Sequence, residues 1–183
     1  MSQVSEKQVN IRVAGVEDLD DVARLFEASV AHHIGKAGLE LRPGYDWRRE
    51  TLLRLERPSS RFLMAYVDGD AAGIQAIQLA GSIKKKSLLQ RVRRRFVRGQ
   101  TSPFLARRSG LLTDVFVFEH YRGRGVGRLL VAGAVEYLAE RGYEHVGMNV
   151  LATNEPMLNL AASLGFETIT NRLILRIQKD GSS

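Results

Sequence analysis

The chain has 183 residues, of which 44% are hydrophobic, and it carries a formal net charge of +7 at pH 7. This composition excludes an intrinsically disordered protein, and the length suits one domain with a substantial core. Cysteine is absent, which excludes disulfide bonds, a thiolate nucleophile and cysteine-based metal sites. No apolar stretch is long enough to cross a membrane, and the polar N-terminal residues lack the apolar segment of a signal peptide. We therefore expect a cytoplasmic protein without a transmembrane segment.

The first half of the chain predicts three strands and two helices. The strands cover residues 10–14, 61–67 and 71–80. The first helix follows Asp18, which is a suitable N-cap, and runs to about His33. A second, shorter helix covers residues 47–55 and ends before Pro58. The second and third strands flank the sequence Asp-Gly-Asp, which is typical of a hairpin turn.

The second half predicts strands and helices that alternate. The strands cover residues 111–118, 144–151, 166–170 and 172–178. The apolar residues of the intervening helix, residues 126–140, fall four apart, at Val126, Leu130, Ala134 and Leu138. A last helix begins after Asn154, tolerates Pro156 in its first turn, and ends before Gly165. No internal repeat is present.

A turn rich in arginine and glycine joins the strand 111–118 to the helix 126–140. We call residues 122–128 the Arg/Gly turn; their sequence is Arg-Gly-Arg-Gly-Val-Gly-Arg. A helix N-terminus presents unpaired N–H groups and partial positive charge, and glycine lets a ligand approach the backbone. The three arginines add donors and fixed charge. The turn therefore predicts a site for a phosphate or pyrophosphate.

The spacing in this turn excludes two common phosphate loops. A Walker loop would end in Gly-Lys-Ser/Thr, but here Arg128 follows Gly127. A dinucleotide fingerprint would need Gly-x-Gly-x-x-Gly, but here the spacing is Gly-x-Gly-x-Gly. The pattern that fits is Arg-x-x-Gly-x-Gly, from Arg122 through Gly125 to Gly127. It resembles the acyl-CoA pyrophosphate loop of the GNAT superfamily of N-acetyltransferases.

Two further features extend this resemblance over nearly the whole chain. The order of the predicted elements is similar to that of the GNAT fold. Val150-x-x-x-Asn154, followed by Leu164-Gly165-Phe166, looks like the family's fifth strand, its fourth helix and the exit from that helix. The resemblance implies an α+β fold. Its central sheet would be mixed and mostly antiparallel, with six to seven strands and helices on both faces, and the fourth and fifth strands would splay apart.

The resemblance also implies where acetyl-CoA binds as the co-substrate. The pantetheine would lie between the splayed strands and pair with backbone groups of Phe116 and Val117, whose side chains we expect to pack in the core. Asn154 would help to hold the cofactor arm. The pyrophosphate would be held at the Arg/Gly turn by Arg122, Gly123, Arg124, Gly125, Val126, Gly127 and Arg128. No metal is expected, because the four histidines show no metal-ligand spacing with carboxylates.

Two carboxylates are candidates for the catalytic base that deprotonates the attacking amine. Asp114 interrupts an apolar strand, where a carboxylate is costly without a partner or a function, and burial there would raise its pKa. Many relatives carry a carboxylate on this strand. Glu119 is the second candidate. The alternative for Asp114 is that it points to solvent or pairs with an arginine.

One position departs from the family pattern. Relatives usually place a tyrosine on the helix after Asn154, where it protonates the departing thiolate, and the matching position here is Ala161. No tyrosine lies between residues 154 and 166. The general acid is therefore unassigned. A thiolate can leave and take its proton from water; the alternatives are a slow enzyme and a domain that binds acyl-CoA without turnover.

The positive charge is concentrated in residues 82–110, which we call the basic segment. It holds ten of the 27 Lys and Arg residues and no Asp or Glu, so that the rest of the chain has a net charge of −3. We expect an insertion between the third and fourth strands, with residues 87–98 forming a basic amphipathic helix. Three roles stay open: packing on the body or a second subunit in a homodimer, contact with RNA or an acidic protein, and contact with an anionic membrane.

These observations together predict one domain over residues 1–183, with polar tails at residues 1–8 and 179–183. The predicted activity is transfer of an acetyl group from acetyl-CoA to a primary amine of a small molecule or peptide by direct attack. The acceptor should enter near residues 32–47, and a basic rim would favour acidic peptides or anionic amines. The alternative is a GNAT-like module with little or no catalysis, which binds acyl-CoA and contacts RNA or an acidic protein.

Overall fold

The computed structural model describes residues 9–36, 40, 42–80 and 108–169. The chain divides into two compact units, Met1–Asn149 and Val150–Ser183. The organisation as one domain with polar tails remains a prediction. Nearly all of the basic segment, residues 82–107, lies outside the described residues. None of the described helices is both long and apolar enough to cross a membrane.

In the first unit, the described residues form five strands and three helices. The helices are α1 (Leu19–Lys36), α2 (Trp47–Glu56) and α3 (Val126–Glu140). The strands are β1 (Val9–Val13), β2 (Ser60–Val67), β3 (Asp70–Ala80), β4 (Ser109–Val117) and β5 (His145–Met148). Two short 3-10 turns, Val16–Asp18 and Glu119–Tyr121, precede α1 and the Arg/Gly turn.

The strands form one mixed sheet in the order β1-β2-β3-β4-β5. The first four are antiparallel neighbours, and β5 is parallel to β4. The predicted α+β class with a mostly antiparallel mixed sheet is confirmed, but the expected six to seven strands are not, since five are present among the described residues. Residues 166–169, predicted as a closing strand, are irregular, and residues 172–178 lie outside the described part.

The helices cover both faces of the sheet. Successive side chains of each strand point to opposite faces, so alternate residues pack against different helices. Phe62, Met64 and Ile74 lie in one buried cluster with Val22 and Phe26 of α1. The intervening residues face α3 instead: a Cβ built on Gly133 of α3 would lie 3.5 Å from the Leu63 side chain, and Leu138 packs over Gly110. The predicted apolar face of α3 is confirmed, because all four of its residues are buried.

Asp18 precedes α1 as predicted, but its carboxylate does not act as a simple helix cap. It accepts hydrogen bonds from Gly15 N–H at 2.9 Å, from the Tyr66 hydroxyl at 3.2 Å and from both terminal nitrogens of Arg12 at 2.5 and 2.7 Å. These hydrogen bonds, that with Arg12 first, lower the pKa of the Asp18 carboxyl. The contact joins β1, β2 and the start of α1, which is a tertiary function that a cap would not have.

The second unit contains one described helix, α4 (Glu155–Ser163). Asn154 occupies its N-cap position, as predicted, but makes no side-chain capping bond; its backbone carbonyl accepts from the N–H groups of Met157 and Leu158 at 3.1 and 3.0 Å. The helix ends before Gly165, whose φ is +85°. This left-handed conformation is the reason that glycine suits the exit of the helix.

Candidate functional site

The Arg/Gly turn is an exposed loop that leads directly into α3. Gly123 and Gly125 have φ of +73° and +77°, and a Cβ at either position would meet no atom of the described residues within 4 Å. Glycine is therefore required for the backbone conformation and not for space. Gly125 is the N-cap of α3, and its carbonyl accepts from Leu129 N–H at 3.0 Å. The amides of Val126 and Gly127 precede this first intrahelical bond, so they have no acceptor within the helix.

Two arginines of the turn fold onto neighbouring groups. The Arg122 Nε donates to the Val117 carbonyl at 2.9 Å, and its guanidinium carbon lies 5.9 Å from the centre of the Phe116 ring. The Arg124 guanidinium carbon lies 5.7 Å from the centre of the Tyr121 ring. Arg128 is exposed in the first turn of α3. The turn therefore carries concentrated positive charge at a helix N-terminus, which is a suitable environment for an anion.

The last part of β4 extends beyond its pairing with β5. The parallel pairing runs from Ser109 opposite His145 to Leu112 opposite Met148, and it ends there. Residues 113–117 of β4 therefore have β3 as a neighbour but no partner on β5. Because β5 itself ends at Met148, the expected splaying of the fourth and fifth strands stays a prediction. The end of the pairing leaves backbone groups of β4 available to an extended ligand.

A β-bulge at Asp114 follows the end of this pairing. Thr113 pairs with Ala76 and Val115 with Gln75, so Asp114 is an extra residue without an opposite partner on β3. Its φ is +42°, which is the left-handed region that non-glycine residues seldom adopt. It lies two residues past Leu112, the last residue of β4 that pairs with β5. The bulge therefore places a carboxylate just beyond the last residue of β4 that pairs with β5.

Asp114 is held near the guanidinium of Arg54 on α2. Arg54 Nη1 lies 4.0 Å from Asp114 Oδ2, and both side chains are about a quarter exposed, at 25% and 26%. Arg54 Nε also donates to Glu50 Oε1 at 2.9 Å, and its guanidinium carbon lies 4.4 Å from the centre of the Phe26 ring. Asp114 is thus partly exposed and beside an arginine, as the alternative interpretation of this residue had it. Its role as base stays a prediction.

The remaining β4 candidates differ in burial. Phe116 is 8% exposed and lies in the core cluster, with its ring 5.9 Å from the His32 ring and 5.4 Å from the Phe118 ring. The expected core packing of Phe116 is therefore confirmed. The Val117 carbonyl already accepts from Arg122, which leaves one lone pair for a ligand. Glu119 is exposed in the 3-10 turn after the strand, away from the bulge in sequence.

Two of the predicted positions lie in the second unit. Asn154 stands at the N-cap of α4 with its side chain unused in capping, and Ala161 is 7% exposed on the same helix. The role of Asn154 in holding the cofactor stays a prediction. Among the described side chains, no group of three or more His, Asp or Glu is arranged to hold a metal ion.

Sequence reasoning missed Arg54. It lies on α2, 60 residues before Asp114, so no local pattern connects the two. The signal that was available is the pair Glu50 and Arg54, whose spacing of four residues favours an ion pair on a helix. That spacing predicts the ion pair on α2, but it does not predict that Arg54 also lies near the Asp114 carboxylate.

Comparison with known proteins agrees with this geometry. Residues 28–166, more than half of the chain, match the model of the acetyltransferase (GNAT) family. The chain belongs to the GNAT acetyltransferase family. A streptothricin acetyltransferase from Streptomyces lavendulae is 33% identical over 55 residues, which is 30% of this chain. That match spans only 29% of the length of the streptothricin enzyme.

Solved structures of GNAT acetyltransferases share the fold. The ribosomal-protein-alanine N-acetyltransferase from Brucella melitensis biovar Abortus 2308 superimposes with a TM-score of 0.63 at 15% identity, over 93% of this chain and all of that one. The aminoglycoside N-acetyltransferase AAC(6')-Iy in complex with CoA gives a TM-score of 0.65 at 19% identity, over 97% of this chain and 99% of that one. At these identities the likeness shows the fold and not the acceptor.

Proposed function

We propose that this GNAT acetyltransferase transfers the acetyl group of acetyl-CoA to a primary amine of a small molecule or peptide by direct attack. The observation that carries the proposal is the Arg/Gly turn. Its two left-handed glycines open a helix N-terminus beside a strand end that has lost its β5 partner. A pyrophosphate and an extended thiol arm, joined as they are in CoA, fit this combination of an anion site and an unpaired strand.

The Arg/Gly turn supplies the anchor for the carrier. Backbone amides from Arg124 to Gly127 would donate to the pyrophosphate oxygens, because positive φ at Gly125 turns the chain into α3. Arg122 would flank the phosphates while its Nε holds the Val117 carbonyl. This carbonyl is at the end of β4, so one arginine would link the anchor to the strand along which the pantetheine runs. Asn154 would hold the same arm from the start of α4.

The reaction then requires a neutral amine close to the thioester carbon. Asp114 would take the proton of the attacking ammonium, directly or through a water molecule, because the bulge sets its carboxylate where β4 leaves β5. Glu119 is the alternative acceptor of this proton. The lone pair of the amine attacks the carbonyl, and a tetrahedral oxyanion forms. The attacking nitrogen, now positively charged, gives its extra proton to solvent water, and the C–S bond breaks to release CoA thiolate. A backbone N–H of β4 would stabilise the oxyanion.

The general acid stays open because Ala161 occupies the position where relatives carry a tyrosine. Ala161 has no proton to give, and the thiolate would take one from water. This assignment predicts that the rate of thiol release is insensitive to substitutions of hydroxyl side chains on α4. Substituting Ser163 by alanine, the hydroxyl nearest to this position in sequence, should leave turnover unchanged.

The relatives guide the choice of acceptors to test. One relative is a streptothricin acetyltransferase, and the structural neighbours include aminoglycoside and ribosomal-protein-alanine acetyltransferases. The expectation of acidic peptides or anionic amines depends on the basic segment, which lies outside the described residues. An amine panel should therefore contain aminoglycosides, streptothricin, spermine, an acidic N-terminal peptide and a peptide with N-terminal alanine.

The test is a thiol-release screen with acetyl-CoA over this panel. Wild type should release CoA with at least one amine, and Asp114→Asn should lower kcat by about a hundredfold or more, since a positioned base contributes about 10²–10⁴-fold. The matched control is Asp20→Asn, which removes an exposed carboxylate paired with the exposed Arg48.

Three results would change the account in different ways. Unchanged turnover in Asp114→Asn would remove Asp114 as base and leave Glu119 to be tested by Glu119→Gln. Intact CoA binding without turnover of any amine would contradict the transferase and favour the acyl-CoA-binding module. Absence of CoA binding would contradict both. The cytoplasmic location, a homodimer and an anionic partner of the basic segment stay predictions.

A further inference from the structure

A buried glutamine lies beside the bulge, on the face of the sheet opposite to Asp114 and Arg54. Gln75 on β3 is 0% exposed. Its side-chain Nε2 lies 2.6 Å from the Thr113 carbonyl oxygen and 2.7 Å from the Ala76 carbonyl oxygen. Thr113 and Ala76 are the last pair before the register shift that leaves Asp114 unpaired. The amide group therefore donates to backbone carbonyls of both strands, at the pair next to the bulge.

The orientation of the Gln75 amide follows from its contacts. Two carbonyl oxygens can accept only from the NH₂ group, so the oxygen of the amide must point the other way. That oxygen, Oε1, is buried and has no hydrogen-bond partner among the residues that the structure describes. A buried, unpaired amide oxygen is unfavourable, and an apolar side chain of the same size would avoid this cost. The buried amide oxygen is thus unfavourable for stability, and the favourable contribution of Gln75 comes from its two N–H donors.

Its position in the sheet explains what these donors support. Gln75 lies between Ile74 and Ala76, which pack in the cluster with α1, so its own side chain projects toward α3. The residue opposite it on β2 is Leu63, whose side chain lies close to Gly133 of α3. Asp114 projects toward Arg54 of α2, on the other side. Gln75 therefore binds the backbone next to the bulge from the α3 face of the sheet, while the Asp114 carboxylate lies on the α2 face.

We propose that Gln75 is a positioning residue, which locks the bulge of β4 through its two donors and thereby fixes the backbone of Asp114 in the left-handed conformation. A left-handed aspartate is strained relative to extended backbone, and such strain persists only where the surroundings stabilise it. Without the donors, the extra residue can shift along β4, and the Asp114 carboxylate leaves its place just beyond the pairing of β4 with β5. The effect on turnover rests on the proposed function, but the effect on the bulge does not.

The test uses Gln75→Met, which keeps an unbranched side chain of similar size and removes both donors. The matched control is Gln78→Met, on the same strand but exposed. In the amine assay, Gln75→Met should lower kcat by about ten- to a hundredfold, as expected for a displaced catalytic group. The KM for acetyl-CoA should rise less than kcat falls, because the Arg/Gly turn that would anchor the pyrophosphate is not altered. The control should leave both values as in wild type.

A structural measurement separates this role from a general loss of stability and needs no substrate. In NMR spectra of the full chain, the Cα shift of Asp114 should move upfield in Gln75→Met, toward the value of extended backbone. Spectra of residues 22–26 in α1 should be unchanged. An Asp114 shift equal to that of wild type would overturn the proposal, as would an unchanged kcat in an active enzyme.

A measurement on the wild-type protein keeps the proposal testable if Gln75→Met does not fold. The side-chain amide protons of Gln75 should exchange with solvent far more slowly than those of exposed Gln78, because the Gln75 protons are bound to backbone carbonyls. Equal exchange rates for the two glutamines would contradict the proposal. Failure of the proposed transferase activity, by contrast, would appear as no turnover in wild type while the exchange and shift results still stood.

Discussion

The Arg/Gly turn and the bulge of β4 use the same region of backbone conformation in two different ways. In the turn, Gly123 and Gly125 adopt φ of +73° and +77° in open surroundings. In the bulge, Asp114 adopts φ of +42° within β4, next to β3 and beside Arg54. Glycine takes this conformation at no steric cost, whereas an L side chain is strained by about 1–2 kcal/mol. The turn is therefore self-sufficient, and the bulge depends on tertiary contacts.

This difference also separates what the two regions can do. The turn offers backbone amides and charge to an anion, and no particular side chain has to be oriented by the core. The bulge offers one side chain, that of Asp114. Its direction depends on contacts with β3 and with Arg54 of α2. We conclude that binding and chemistry have different structural supports in this molecule. Two substitutions test that separation, and a third tests how tertiary contacts support a carboxylate elsewhere in the fold.

The largest effect on turnover is expected when Asp114 in the bulge is replaced by glycine, the residue that adopts positive φ in the Arg/Gly turn. Asp114→Gly removes the carboxylate but relieves the left-handed strain. Turnover should fall by about 10²–10⁴-fold, as for loss of a positioned base, while the free energy of unfolding should stay the same or rise by up to about 1 kcal/mol. Steady-state kinetics and urea unfolding measure the two quantities. A large loss of stability would contradict the strain assigned to Asp114.

The next effect is expected when the turn is given a side chain. Gly125→Ala strains the N-cap of α3 by about 1–2 kcal/mol, so CoA affinity should fall by about tenfold or more. Gly44→Ala is the matched control, because Gly44 also has positive φ, +69°, and no atom within 4 Å of its Cβ position, but lies between α1 and α2. Calorimetric titration with CoA measures the affinity. Equal losses in the two variants would show that strain alone, and not the site, weakens binding.

The smallest effect concerns a second carboxylate that tertiary partners hold. The Asp18 pKa is lowered, chiefly by Arg12, so its contribution to stability is present above the unfolded pKa of about 4 and is lost as the pH falls through the folded pKa. Asp18→Asn should cost about 1 kcal/mol of the free energy of unfolding at pH 7. As the pH falls from about 4 through the lowered pKa of the folded state, the difference between the two proteins should shrink. A pH-independent difference would exclude ionisation of Asp18 as the cause.

Elements set by local signals were predictable from the sequence. The helix α3 runs from Val126 to Glu140 as predicted, because its apolar residues fall four apart and Gly125 and Gly142 bound it. The hairpin at Asp68 and Gly69 has φ of +55° and +93°, as its Asp-Gly sequence predicts. The Arg/Gly turn was predictable for the same reason, since its glycines are the residues that favour a left-handed backbone.

Elements set by contacts between distant residues were not predictable. The bulge is invisible in sequence, because nothing local distinguishes a left-handed Asp114 from an extended one. Arg54 and Gln75 approach it from α2 and β3, at separations that no motif records. The predicted strand 144–151 is shorter, His145–Met148, because its pairing with β4 ends at Leu112. Residues 166–169 alternate like a strand but are not one, since alternation alone supplies no partner.

The most direct test of the central claim is an NMR titration of the ¹⁵N-labelled protein with CoA. The account predicts saturable shift changes that are largest at the amides of residues 123–127 and continue along residues 113–117 of β4. This pattern would place the pyrophosphate at the helix N-terminus and the thiol arm along the unpaired strand. Saturable binding that leaves these two sets of amides unchanged, or no saturable change at all, would contradict the account.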